Sequence, residues 1–163
     1  MASAAVTLLA CAGGKSAQRG GGDATPAWVG QGSGAINTES GKKLQGVGVI
    51  SGTRDPKTRR QQADEKARAE CAVGIDLLSQ WLAKMSGSTK ENAGDEIGAV
   101  AKRAMQQSAQ ILDHWVTPDG TENALCLVDL GAFKAALEKV DGDERLKREM
   151  ANNTERAFDQ MNR

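Results

Sequence analysis

The chain contains no tyrosine, and its aromatic side chains are three tryptophans and two phenylalanines in 163 residues. So sparse a set cannot build the rows of rings on which single-stranded bases stack. An excess of one charge is also lacking, because 21 Lys and Arg face 21 Asp and Glu. Without a basic face, no nucleic-acid partner is expected. For the single histidine, His114, a general-base role needs a positioned partner and a zinc site needs three or four ligands. Beside Asp113 in a strand pattern His114 reads as a surface or half-buried strand residue. No run of about 20 apolar residues follows Cys11, so no transmembrane helix is available there.

The three cysteines are Cys11, Cys71 and Cys126. Cys11 is the most informative of them, because it closes the run Leu8-Leu9-Ala10-Cys11-Ala12-Gly13. An apolar stretch ending in a small residue and cysteine, followed by a Gly/Ser-rich polar segment, resembles a bacterial lipobox. In that reading the peptide is cut before Cys11, whose sulfur takes a diacylglycerol and whose freed amine is acylated. Two or more chains anchor stably, at roughly 0.8 kcal/mol per buried methylene, where one chain holds only marginally.

Residues 1–10 carry no Lys or Arg, whereas a signal peptide has a positive leader before its apolar core. They read as a truncated lipoprotein signal whose start lies upstream of Met1; the alternative is that the apolar run is only a disordered N-terminus. No acidic residue directly follows Cys11 to retain the protein at the inner membrane, so the outer membrane is expected, with the bilayer as partner through acylated Cys11. With Cys11 acylated, Cys71 and Cys126 remain. They read as two inert core thiols, since free cysteine is among the most buried residue types; a Cys71–Cys126 bond is the alternative.

Residues 11–25 form the lipidated cysteine and a flexible tether, and a chain of that length spans about 20 Å. Order is expected to begin at Pro26-Ala27-Trp28-Val29, which docks the tether onto the domain, with Gly30, Gly32 and Gly34 in a loop. The first strand expected covers 44–51. Its Gly46 and Gly48 share one face, a sign that another backbone packs closely there. Asp55 is a candidate N-cap, with Pro56 at the first helical position, where its missing N–H costs nothing. From 56 to 85, Ala63, Ala67, Cys71, Ile75, Leu78, Leu82 and Met85 recur at helical spacing. Arg60–Asp64, Asp64–Arg68 and Lys66–Glu70 are candidate i,i+4 pairs.

A second helical stripe runs through Ile97, Val100, Ala101, Ala104 and Met105. Residues 109–117 and 124–130 then flank the turn Thr117-Pro118-Asp119-Gly120 and predict a β-hairpin. Residues 131–140 predict a short helix. Asp141-Gly142-Asp143-Glu144, too short for a calcium loop, is a turn and N-cap for a closing helix with Leu146, Met150, Ala157, Phe158 and Met161. Such a helix is marginal alone, so it must dock on its own domain, pair with another copy or await a partner. The order strand, helix, helix, strand, strand, helix predicts an α+β domain over 26–141. In it a long helix packs on a small antiparallel sheet, and residues 142–163 form an extra C-terminal helix.

No catalytic constellation emerges. Gly46-x-Gly48-x-x-x-Gly52 has the wrong spacing for a dinucleotide loop. Gly13-Gly14-Lys15-Ser16 lacks the first glycine of a phosphate loop, because Leu9 stands there. No catalytic, cofactor-binding or metal-binding residue is assigned, and no cofactor is expected.

Taken in order, the lipobox, the tether, Pro26-Ala27-Trp28-Val29, the Gly-rich strand at 46–50, the Ala-rich helix 62–70 and the strand 124–130 resemble the Lpp-twenty lipoprotein family. These are bacterial outer-membrane lipoproteins, and flagellar assembly protein T is a relative. The resemblance runs over residues 26–137. It implies a dodecin-like strand–helix–strand–strand layout in an exported, membrane-anchored protein with no catalytic residues; only Cys11 transfers as a site. This chain differs in its short leader and its extra helix past Asp141. The expected function is a non-enzymatic structural or partner-binding role in the envelope, as a homo-oligomer or with an envelope protein. The alternative is a small-ligand-binding module in which Trp28 or Trp115 lines a pocket.

Overall fold

A computed structural model describes residues 24–87 and 91–162. The signal segment, Cys11 and the tether through residue 23 lie outside the described residues. The elements are α1 (Ala27–Gln31), β1 (Gly34–Thr38), β2 (Gly41–Ile50), α2 (Pro56–Ser86), α3 (Ala93–Ser108), β3 (Ala109–Val116), β4 (Glu122–Asp129), α4 (Leu130–Leu137) and α5 (Glu144–Met161). The sheet is fully antiparallel, in the order β1-β2-β4-β3. This is an α+β fold with the long helix against a small antiparallel sheet.

The layout expected from sequence lacks β1 and α1. Residue 34 belongs to a strand rather than to a loop. Gly34-Ala35-Ile36-Asn37-Thr38 is short, opens on glycine, and has only Ile36 and Thr38 as β-branched residues. It forms because β2 offers a free edge two residues away, with Ala35 opposite Leu44 and Thr38 opposite Gly41.

Helix α2 starts and stops where its residues dictate. The Asp55 carboxylate accepts from the Thr58 amide at 2.7 Å, and Gly87 ends the helix with φ 58°, a conformation that favours glycine. At 1.5 Å per residue its 31 residues run about 46 Å. Its stripe Ala63, Ala67, Cys71, Ile75, Leu78 and Leu82 is buried throughout, and only Met85 at the end is half-buried.

The two glycines of β2 explain how the helix sits. A Cβ on Gly46 would stand 2.2 Å from the Ala67 carbonyl oxygen, and one on Gly48 would stand 2.0 Å from that of Ala63. Backbone therefore rests on backbone, a spacing that any side chain would prevent. Gly46 pairs with Cys126 and Gly48 with Ala124, so the even-numbered residues of β2 and β4 face α2. Beyond the sheet α2 also packs on α3 and α5, and Lys102 of α3 reaches Asp76 at 3.2 Å.

The hairpin forms where expected, and Gly120, at φ 85°, allows its tight exit. Strand β3 is not regular, however. Its register shifts between Ile111 and Asp113, so that Ile111 pairs with Cys126 and Asp113 with Leu125, leaving Leu112 as a bulge. Counted by strict alternation from Ile111, Asp113 and Trp115 would face α2 and His114 would face away. The bulge reverses this and turns His114 towards the helix.

Of the three fates open to the C-terminal helix, the described structure shows docking on its own domain. Asp143 caps α5 by accepting from the Leu146 amide at 2.8 Å. Met150, Thr154, Ala157 and Phe158 are buried in the common core. Lys42 of β2 lies over the Phe158 ring and binds Asp159 at 2.6 Å. Lys147 is buried and donates to the Val140 and Glu138 carbonyls at 3.0 and 3.3 Å. An ammonium there satisfies carbonyls that the end of α4 leaves open.

Candidate functional site

The one site assigned from sequence, Cys11, lies outside the described residues, as does its lipobox. What the structure brings together is a set of groups on the two faces of the sheet.

On the helix face, His114 meets α2. Its Nε2 lies 2.5 Å from Asp64 Oδ1, and an Arg60 guanidinium nitrogen lies 3.0 Å from its Nδ1. Arginine only donates, so Nδ1 accepts and the ring proton sits on Nε2, directed at the carboxylate. Both nitrogens are thus occupied, and neither is left to take a proton from a substrate. The cluster clamps β3 to α2 rather than forming a catalytic dyad. Asp64 and His114 are 50 residues apart, and no motif in the sequence connects them.

The same reassignment runs along the helix. Arg60 and Asp64 turn to His114 instead of to each other, Arg68 donates to the Ala109 carbonyl at 3.4 Å, and Lys66 donates to that of Val49 at 3.3 Å. The i,i+4 pairs expected from spacing thus give way to tertiary bonds. One turn earlier, Arg59 Nε stands 3.7 Å from the buried Glu122 carboxylate while its NH1 donates to the Thr53 carbonyl at 3.3 Å. This ties the start of α2 to β4.

On the opposite face, the segment from Pro26 docks on the domain as expected. Gln45 of β2 donates to the Gly32 carbonyl at 2.6 Å, while Trp28 Nε1 reaches Asp113 of β3 at 3.3 Å. Gln45, Val47, Asn123 and Leu125 are buried on this face. Trp115 lies here too, because of the bulge, and its indole N–H is buried without a hydrogen-bond partner. A cleft of about 190 Å³ on the sheet is lined by Lys43, Gln110, Leu112, Leu127 and Asp129, and neither Trp28 nor Trp115 lines it. Pockets for drug-sized ligands run to about 300–1,000 Å³, so this cleft suits only a small group.

Cys71 and Cys126 are buried and reduced, with Cys71 Sγ 3.4 Å from the Cys126 carbonyl oxygen. A side-chain hydrogen bond to Cys126, together with burial, pushes the Cys71 thiol far above the ordinary range. Among the described residues, no group of three or more His, Cys, Asp or Glu is placed to hold a metal ion. No helix among them is long and apolar enough to cross a membrane. No protein-family model matches this chain, and comparison with curated proteins finds no match.

Proposed function

We propose that this protein is a membrane-anchored bacterial envelope lipoprotein of the Lpp-twenty type, with a non-enzymatic structural or partner-binding role at the outer membrane. The observation that carries this reading is Leu8-Leu9-Ala10-Cys11 followed by a Gly/Ser-rich stretch. Acylated Cys11 would hold the protein to the bilayer, and the folded domain would face an envelope protein or another copy. The test is metabolic palmitate labelling behind a complete signal peptide. Wild type should label and sediment with outer membranes, and Cys11→Ser should do neither. Labelling that survives in Cys11→Ser would sink the reading.

A second reading, a small-ligand-binding module, has one observation in its favour: the unpartnered indole N–H of Trp115 on the face crossed by Trp28. Intrinsic fluorescence titrated with flavins and other envelope metabolites checks it. A saturable change that Trp115→Phe abolishes would support binding, and a flat response to the whole panel would dismiss it.

A further inference from the structure

Cys71 and Cys126 are 55 residues apart and belong to different layers. Gly46 is what brings them together. It is the register partner of Cys126 in the sheet. A Cβ at Gly46 would stand 2.6 Å from the Cys71 amide nitrogen and 2.9 Å from Cys71 Sγ. The helix is therefore pressed onto the strand pair at the level of Cys126, and Cys71 Sγ lies between the Cys126 carbonyl at 3.4 Å and the Leu44 carbonyl at 3.9 Å. A disulfide needs Cβ atoms about 3.8 Å apart and Cα atoms about 4.4–6.8 Å apart. Ordinary side chains at 46 and 48 would hold the helix off the sheet, whereas the two glycines let the backbone of α2 lie against β2 beside Cys126.

We propose that Cys71 and Cys126 are the two halves of an intramolecular disulfide that fastens α2 to β4 through the core. The oxidant is a disulfide, either of a thiol oxidoreductase or of oxidised glutathione. One cysteine thiolate attacks it, forming a mixed disulfide and releasing one thiol. The second cysteine then displaces the other thiol, so that an Sγ–Sγ bond forms while two electrons and two protons pass to the oxidant. Neither cysteine is exposed in the folded protein, so the exchange takes place during folding, before α2 closes on β4. The bond replaces the thiol contacts of the reduced core and closes the segment that carries α3 and β3. It belongs to the fold and stands whether or not Cys11 carries lipid.

The test uses the full chain with Cys11→Ser, which leaves these two thiols alone. The protein is unfolded in guanidinium and refolded in mixed reduced and oxidised glutathione. The expected product is native by circular dichroism, about 2 Da lighter than the reduced chain, and without titratable thiol. Its non-reducing peptide map joins the fragments containing 71 and 126, and its denaturation midpoint exceeds that of the reduced form. A native product that keeps two free thiols overturns the proposal. So does a cross-linked chain that fails to regain the native spectrum. Adding Cys71→Ala and Cys126→Ala should remove any effect of oxidant on the midpoint; an effect that persists in this variant overturns the bond as its cause.

Discussion

Gly48 lies so close beneath Ala63 that a Cβ on the glycine would stand 2.0 Å from the Ala63 carbonyl oxygen. The neighbour is helix backbone, which cannot rotate aside as a side chain can. Gly48→Ala should therefore cost at least the roughly 1–3 kcal/mol of a forced overpacking. Gly98→Ala, in α3 with nothing within 4 Å of the new carbon, should stabilise by about 0.4–1 kcal/mol. Urea denaturation of the two variants checks both signs, and equal effects would refute the close packing of α2 on β2.

The bulge yields a prediction about deletions. Removing Leu112, an exposed residue, leaves Asp113 opposite Leu125 and His114 opposite Ala124 in an unbroken ladder. That variant should keep a cooperative thermal transition. Removing Leu127 instead reverses the faces of part of the central strand β4, and should abolish the transition. Loss of folding on deletion of Leu112 would show that the register is wrong.

The clamp between β3 and α2 is measurable as a coupling. His114→Ala and Asp64→Ala, singly and together, should show a coupling of at least about 0.5 kcal/mol in a double-mutant cycle. Strict additivity would mean that the two side chains do not meet in solution.

The C-terminal helix belongs to the domain's stability. Phe158, Met150 and Ala157 are buried, and losing one large core side chain costs about 2–5 kcal/mol. Deletion of 142–163 removes several and should leave no cooperative unfolding transition by calorimetry. Lys147→Met is the gentler probe. It leaves the Val140 and Glu138 carbonyls without their donor and should cost about 1–3 kcal/mol.

Two exposed carboxylates give a pH dependence. A hydrogen bond from the Thr58 side chain and another from its backbone hold Asp55 below its ordinary value of 3.8. The Thr117 hydroxyl, followed by the Thr121 backbone, does the same for Asp119. Their folded values are depressed, so their contribution is full well above pH 3.8 and fades as pH falls through the folded values. The melting temperature should drop below about pH 4, and in Asp55→Asn with Asp119→Asn that drop should be smaller.

The sequence by itself determined α2 from its N-cap to its last turn, because Asp55, Pro56 and an uninterrupted apolar stripe are local signals that agree. It determined the hairpin through the Pro-Asp-Gly turn, the cap at Asp143, and the close approach at Gly46 and Gly48, since two glycines on one strand face have few other uses. The lipobox proposed at Cys11 is likewise read from sequence alone. Tertiary structure alone decided β1, a five-residue strand too short to stand without the waiting edge of β2. It decided the bulge at Leu112, and with it which face His114 and Trp115 take, because register depends on the partner strand and not on the strand's own residues. The meeting of His114 with Asp64 was illegible for the same reason, and that of Cys71 with Cys126 was open from sequence only as an alternative. Each joins residues 50 or more positions apart, and only the packing of α2 on the sheet sets that distance.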